Sequence, residues 1–126
     1  MEKHELSQLT QWIKAQHPKL IYRIDIAADV KLSIGQAKKN KALQMTKKGY
    51  PDIFIAKAKK GYYGLFIELK RTGTVLYNKD CKLRKDSHLE EQQEMINRLT
   101  DEGYLAMFVV GVLKAIDVIT WYLSED

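Results

Sequence analysis

The chain has a single cysteine, Cys81, among 126 residues. No disulfide can form within it, and a reducing, intracellular setting is expected. Two prolines and seven glycines are too few for a disordered or collagen-like chain. No internal repeat or low-complexity tract occurs. Long apolar runs are missing too. The longest, Tyr104 to Leu113, is about half the roughly 20 residues that a membrane-spanning helix needs. Met1 leads straight into Glu2-Lys3-His4-Glu5, without the apolar stretch behind a basic start that marks an export signal. No membrane partner is expected, and the location expected is the cytoplasm.

Acids are scarce in one part of the chain. Residues 31–85 hold 15 Lys/Arg against three acids, Asp52, Glu68 and Asp80, a local charge of +12. The remainder holds 6 Lys/Arg against 13 acids, a local −7, which leaves the net +5. A segment this basic is either a solvated face or a surface for a polyanion, most commonly nucleic acid. The length and an apolar content of 45% fit a single domain, 1–126, with one core.

The elements follow from periodicity. Leu6, Leu9, Trp12 and Ile13 recur at spacings of three and four, which predicts a helix over 3–16 that stops before Pro18. Glu5 falls at the edge of its core-facing stripe. Leu20 to Ile26 reads as a strand. Residues 27–49 are a basic connector with a helix near 36–46. Asp52 to Ala56 and Tyr62 to Arg71 read as a hairpin turning at Lys57 to Gly61. Residues 72–86 are a polar excursion without periodicity. A helix over 88–102 is capped by Ser87, with Glu90 completing a capping box, and Gly103 ends it. Tyr104 to Val110 is apolar throughout and reads as a central strand covered on both faces. Val112 to Leu123 returns to helical spacing. The pattern predicts an α/β fold, with a mixed sheet flanked by helices.

The chemistry concentrates on Leu65-Phe66-Ile67-Glu68-Leu69-Lys70. Side chains alternate across a strand, so Phe66, Glu68 and Lys70 share the face opposite Leu65, Ile67 and Leu69. A carboxylate and an ammonium on an apolar strand need each other or a third partner. The preceding strand opens with Pro51-Asp52, with 15 residues between Asp52 and Glu68, and a hairpin can bring Asp52 to the same face. Two converging carboxylates repel, and a hard cation relieves that repulsion. Mg²⁺ suits such oxygen ligands, Mn²⁺ can substitute, and the Leu69 carbonyl is a further candidate ligand. Such a metal polarises a phosphodiester and acidifies a bound water. Lys70 would orient that water, balance charge on the phosphorus centre, or act as general base if its pKa were depressed. The alternative is a plain surface ion pair between Glu68 and Lys70. Gln92 shares a helical face with Leu89, Ile96 and Leu99, so an amide points inward and needs partners in the site or on the backbone.

Together, Gly49-Tyr50-Pro51-Asp52, then Gly64 to Lys70, then His88-Leu89-Glu90-Glu91-Gln92 leading to Leu99 and Gly103, resemble the virus-type replication-repair nuclease (VRR-NUC) domain of the PD-(D/E)xK superfamily. The first helix with its Gln-His-Pro ending extends the resemblance over about 3–123. The resemblance implies a restriction-endonuclease-like core with a four-stranded sheet, and a Mg²⁺-dependent DNA endonuclease. It implies that Asp52 and Glu68 bind the metal, that Lys70 is catalytic and that Gln92 belongs to the site. It adds an acid from the first helix, Glu5 or Glu2. It also implies a homodimer acting on branched, flapped or junction DNA in phage or bacterial replication and repair, although no residue marks an interface. Where many relatives have an Asp-Gly turn, this chain has Asp80-Cys81, which predicts a different loop. Asp25 and Asp29 are further acids that could approach the site, but as exposed turn residues they need no role in it.

Two other readings stay open: a non-catalytic DNA-binding module, and an RNA-processing nuclease. The seven tyrosines are scattered and form no aromatic-basic signature of a single-strand RNA reader. For DNA phosphates the candidates are Lys38, Lys39, Lys41, Lys47 and Lys48, with Lys82, Arg84 and Lys85 behind them. Each true contact steepens the salt dependence of duplex binding by about 0.9.

Overall fold

The computed structural model describes residues 3–25, 33–43 and 49–126, and of residues 3, 37 and 40–43 the backbone alone. The elements are α1 (Lys3–Gln16), β1 (Tyr22–Ile24), α2 (Ile34–Leu43), β2 (Ile53–Ile55), β3 (Leu65–Lys70), α3 (Ser87–Asp101), β4 (Leu105–Val110) and α4 (Val112–Leu123). They follow the order that the sequence pattern predicts. The four strands form one mixed sheet in the order β1-β2-β3-β4. β1, β2 and β3 are antiparallel, and β4 runs parallel to β3. A parallel pair needs a long crossover, which α3 supplies.

The core lies on one face of this sheet. Leu65, Ile67 and Leu69 meet Leu6, Leu9 and Ile13 of α1, Ile53 and Ile55 of β2, and Ala115, Ile119 and Tyr122 of α4. Each fully buried Leu or Ile contributes about 1.5–3 kcal/mol relative to exposure. Tyr122 is buried in this layer and donates its hydroxyl to the Lys57 carbonyl at 2.6 Å. The opposite face carries Phe66, Glu68 and Lys70, and α3 packs there with Leu89, Met95 and Ile96 buried.

Four sequence expectations change. β4 is an edge strand among the described residues, pairing with β3, while β2 and β3 take the centre. Its run is apolar because Val109 joins the core on one side and α3 packs against the strand from the other. Coverage of two faces and a central place in the ladder are separate properties. The cap of α3 is Asp86, whose carboxylate accepts from the His88 and Leu89 amides; Ser87 is the first helical residue. α2 starts earlier, at a reciprocal pair in which Ser33 Oγ accepts from Gln36 N and Gln36 Oε1 from Ser33 N. That capping box was readable in the sequence. The excursion after β3 contains a small hairpin, with Tyr77 bridged to Leu83. Asn78 Oδ1 accepts from the Asp80 and Lys82 amides, and Cys81 takes a left-handed φ of 61°.

The turn between β2 and β3 is held from a distance. Lys60 and Gly61 have φ of 54° and 85°, and Lys59 and Tyr62 exchange both backbone hydrogen bonds around them. Lys60 Nζ donates to the carbonyls of Ser124 and Glu125, just past α4.

Candidate active site

The β2–β3 register pairs Ile53 with Ile67. Extended by one residue, it sets Asp52 opposite Glu68. The Asp52 carboxylate is fixed by a hydrogen bond from the Leu69 amide to Oδ2 at 3.1 Å. On its other side, the Asp25 amide donates to the Asp52 carbonyl at 2.8 Å. Asp25, just past β1, Asp52, just before β2, and Glu68 of β3 therefore follow one another across the sheet. Glu68 is 4% exposed, the one buried charged side chain among the described residues. A carboxylate that deep is tolerated only where donors or cations share its surroundings.

Lys70 lies at the end of β3, two residues from Glu68 and on the same face. Its Nζ donates to Gln92 Oε1 at 2.7 Å and stands 5.9 Å from the Phe108 ring centre. The half-buried Gln92 amide thus meets Lys70 directly. Gly49 sets the distance between the Pro51-Asp52 corner and α3. It has φ of 91°, and a Cβ placed there would lie 2.7 Å from the Glu91 carbonyl oxygen. A glycine here lets the loop rest against the α3 backbone beside Gln92. Asp52, Glu68, Lys70 and Gln92 are brought to one end of the sheet by β2, β3 and α3.

Glu5 approaches the same end of β3 from α1. Its carboxylate accepts from the Thr72 amide and hydroxyl and from the Val112 amide. An anion at the first amide of α4 is well placed against the helix dipole. Burial works against ionisation of Glu5, but the three hydrogen bonds outweigh it and hold the carboxyl below its ordinary range. The bonds that engage Glu5 go to the turn after Lys70 and to α4. Glu2, Asp29, Lys47 and Lys48 lie outside the described residues, as does the Lys41 side chain. Lys38 and Lys39 are exposed on α2, and Lys82, Arg84 and Lys85 are exposed around the hairpin after β3.

The residues that could hold a metal are Asp52 and Glu68, with the Leu69 carbonyl beside them. Among the described residues no group of three or more His, Cys, Asp or Glu could hold one alone. Two carboxylates and few other protein donors still fit Mg²⁺, which keeps several waters and relies on substrate phosphate. A groove of about 550 Å³ lined by His17, Pro18, Leu20, Ile21, Ala56 and Leu123 lies at the other end of β2, away from these groups. A deep pocket is the usual sign of a small-molecule site. A polymer needs only an open surface, so the titratable cluster is the better marker here. No helix among the described residues is long and apolar enough to cross a membrane.

Sequence reasoning missed the aromatic cluster around the site. Tyr50, Tyr63 and Tyr104 are far apart in the chain, yet they join Phe54 and Phe66 in one chain of ring contacts. The available signal was local: Phe66 shares its strand face with Glu68, and Tyr50 precedes Pro51-Asp52.

These features sit on an α/β fold, a mixed four-stranded sheet flanked by helices, that is similar to a VRR-NUC domain structure. The chain is similar to a solved structure described as a VRR_NUC domain protein, at 29% identity, a TM-score of 0.65, and coverage of 97% of this chain and 87% of that one. No protein-family model matches the chain, and comparison with curated proteins finds no relative.

Proposed function

We propose that the chain is a Mg²⁺-dependent DNA endonuclease that hydrolyses phosphodiester bonds in branched, flapped or junction DNA. Mn²⁺ substitutes for Mg²⁺, and the enzyme works as a homodimer in the cytoplasm of bacterial or phage-infected cells. The observation that carries this reading is the meeting of Asp52 beside Glu68 with Lys70 held by Gln92 at one sheet end.

Asp52 and Glu68 would hold the ion, which supplies positive charge against the phosphate and a more acidic water. The chain's own residues do the rest. Leu69 N–H keeps the Asp52 carboxylate in place. Gln92 keeps the Lys70 ammonium on the Glu68 face, where it meets the charge that builds on the phosphate. The basic segment 31–85 attracts the DNA, with Lys38, Lys39, Lys41, Lys47, Lys48, Lys82, Arg84 and Lys85 as its phosphate contacts.

The test is cleavage of labelled duplex, single-strand, flap and four-way-junction DNA and of matched RNA, in Mg²⁺, Mn²⁺ or EDTA. Wild type is compared with Asp52→Asn and Lys70→Ala. Metal-dependent cutting of DNA that both variants lose is the expected result. Binding without cutting would leave a DNA-binding module, and cutting of RNA alone would make the chain an RNA-processing nuclease.

A further inference from the structure

Tyr50 stands two residues before Asp52 and is 50% exposed. Its ring meets Phe66 edge-on, with centres 5.6 Å apart and planes at 88°. Phe66 in turn stacks on Phe54 at 4.5 Å. This cluster occupies the sheet face that carries Glu68 and Lys70, because Phe66 belongs to the same alternating set. Phe66 is buried and braces the inner side of the Tyr50 ring, while half of Tyr50 stays open to solvent. An exposed cation stands nearby: Arg23 lies opposite Phe54 in the β1–β2 register, and its charge acts on the Tyr50 hydroxyl.

A flat, braced, half-open ring beside a cation has the features of a base-stacking platform. We propose that Tyr50 stacks one unpaired base of a DNA strand whose backbone passes Asp52, with Arg23 taking the adjacent phosphate. The inference rests on the nuclease reading for the identity of the strand. It then explains selectivity. A base within a continuous duplex is already stacked on both faces, so the platform favours DNA with an unpaired nucleotide next to the cut, as at a flap or a junction. Stacking is indifferent to base identity, so little sequence preference follows.

The experiment measures binding in EDTA, where cutting is blocked, to a single strand, a flap and a duplex. Each unpaired strand carries 2-aminopurine, and a matched set carries an abasic site instead. Tyr50→Ala should weaken single-strand and flap binding about tenfold or more, leave duplex binding unchanged and abolish the quenching of 2-aminopurine. Tyr50→Phe should retain both. Tyr50→Leu, which keeps an apolar group on Phe66 without a flat ring, should behave like Tyr50→Ala while melting like wild type. If the Leu variant binds and quenches as wild type does, or if single strand and duplex weaken alike, Tyr50 is a packing residue and the proposal fails. It also fails if wild type shows no preference for the base over the abasic site. Cutting without Tyr50-dependent stacking would overturn this inference alone. Stacking without cutting would overturn the nuclease reading and keep the platform.

Discussion

Replacing Glu5 by Gln asks whether this acid serves stability or chemistry. The carboxylate ties three segments together: α1, the turn after β3 through Thr72, and the first amide of α4 through Val112. Gln keeps the length but loses the charge, and its NH₂ faces groups that already donate. A hydrogen bond to a charged group is worth about 1.5–3 kcal/mol when well shielded. Glu5 lies near the surface, where solvent screens it, so the expected loss is about 1 kcal/mol. For a chain of this size that is a fall in Tm of roughly 3–5 °C. The pH dependence has a definite sign. The folded state lowers the Glu5 pKa from its ordinary 4.5, so ionised Glu5 stabilises the fold above that value. The contribution fades as pH falls below 4.5 through the folded pKa, and there the melting curves of wild type and Glu5→Gln should converge. Thr72→Val removes part of the same contact, so the double variant should lose less than the two single losses added. Thermal melts followed by circular dichroism at neutral and acidic pH decide it. A Glu5→Gln protein that melts within a degree of wild type but no longer cuts DNA would refute the structural role and make Glu5 a member of the site.

Two further substitutions test the backbone around the site. Gly49→Ala sets a Cβ 2.7 Å from the Glu91 carbonyl at a φ of 91°, so it should cost about 2 kcal/mol or more in denaturant unfolding and reduce cleavage by displacing Asp52. Cys81→Gly relieves a left-handed residue with φ of 61°, and should raise stability by about 0.5–1 kcal/mol once the larger unfolded-state entropy of glycine is subtracted. An unchanged or lower unfolding midpoint for Cys81→Gly would show that the cysteine is not strained.

The local patterns carried most of the architecture. Alternation in 65–70 separated the core face from the face of Glu68 and Lys70, and the structure buries Leu65, Ile67 and Leu69 fully. Spacing put Gln92 on an inward helical face, but that its partner is Lys70 depends on a contact 22 residues away in sequence. The same limit applies to Glu5, whose partners lie 67 and 107 residues on. The place of β4 at the sheet edge follows from strand order, and no periodicity in its apolar run encodes that. Asp86 and Ser87 are both good caps at adjacent positions, so the choice between them rests on backbone geometry. The scattered tyrosines looked unrelated because an aromatic cluster is built from contacts between strands. Glu68 and Asp52 were legible as a pair because strand alternation and hairpin register are both local rules.

Leu69 has two duties in one residue. Its side chain is wholly buried in the core, and its amide holds the Asp52 carboxylate. The core and the site thus share one mechanical part, and neither can loosen by itself. Heat should remove activity and tertiary structure in a single transition, with no folded but silent species between. A variant that repacks Leu69 would reach the chemistry through the hydrophobic interior, without touching a charged group.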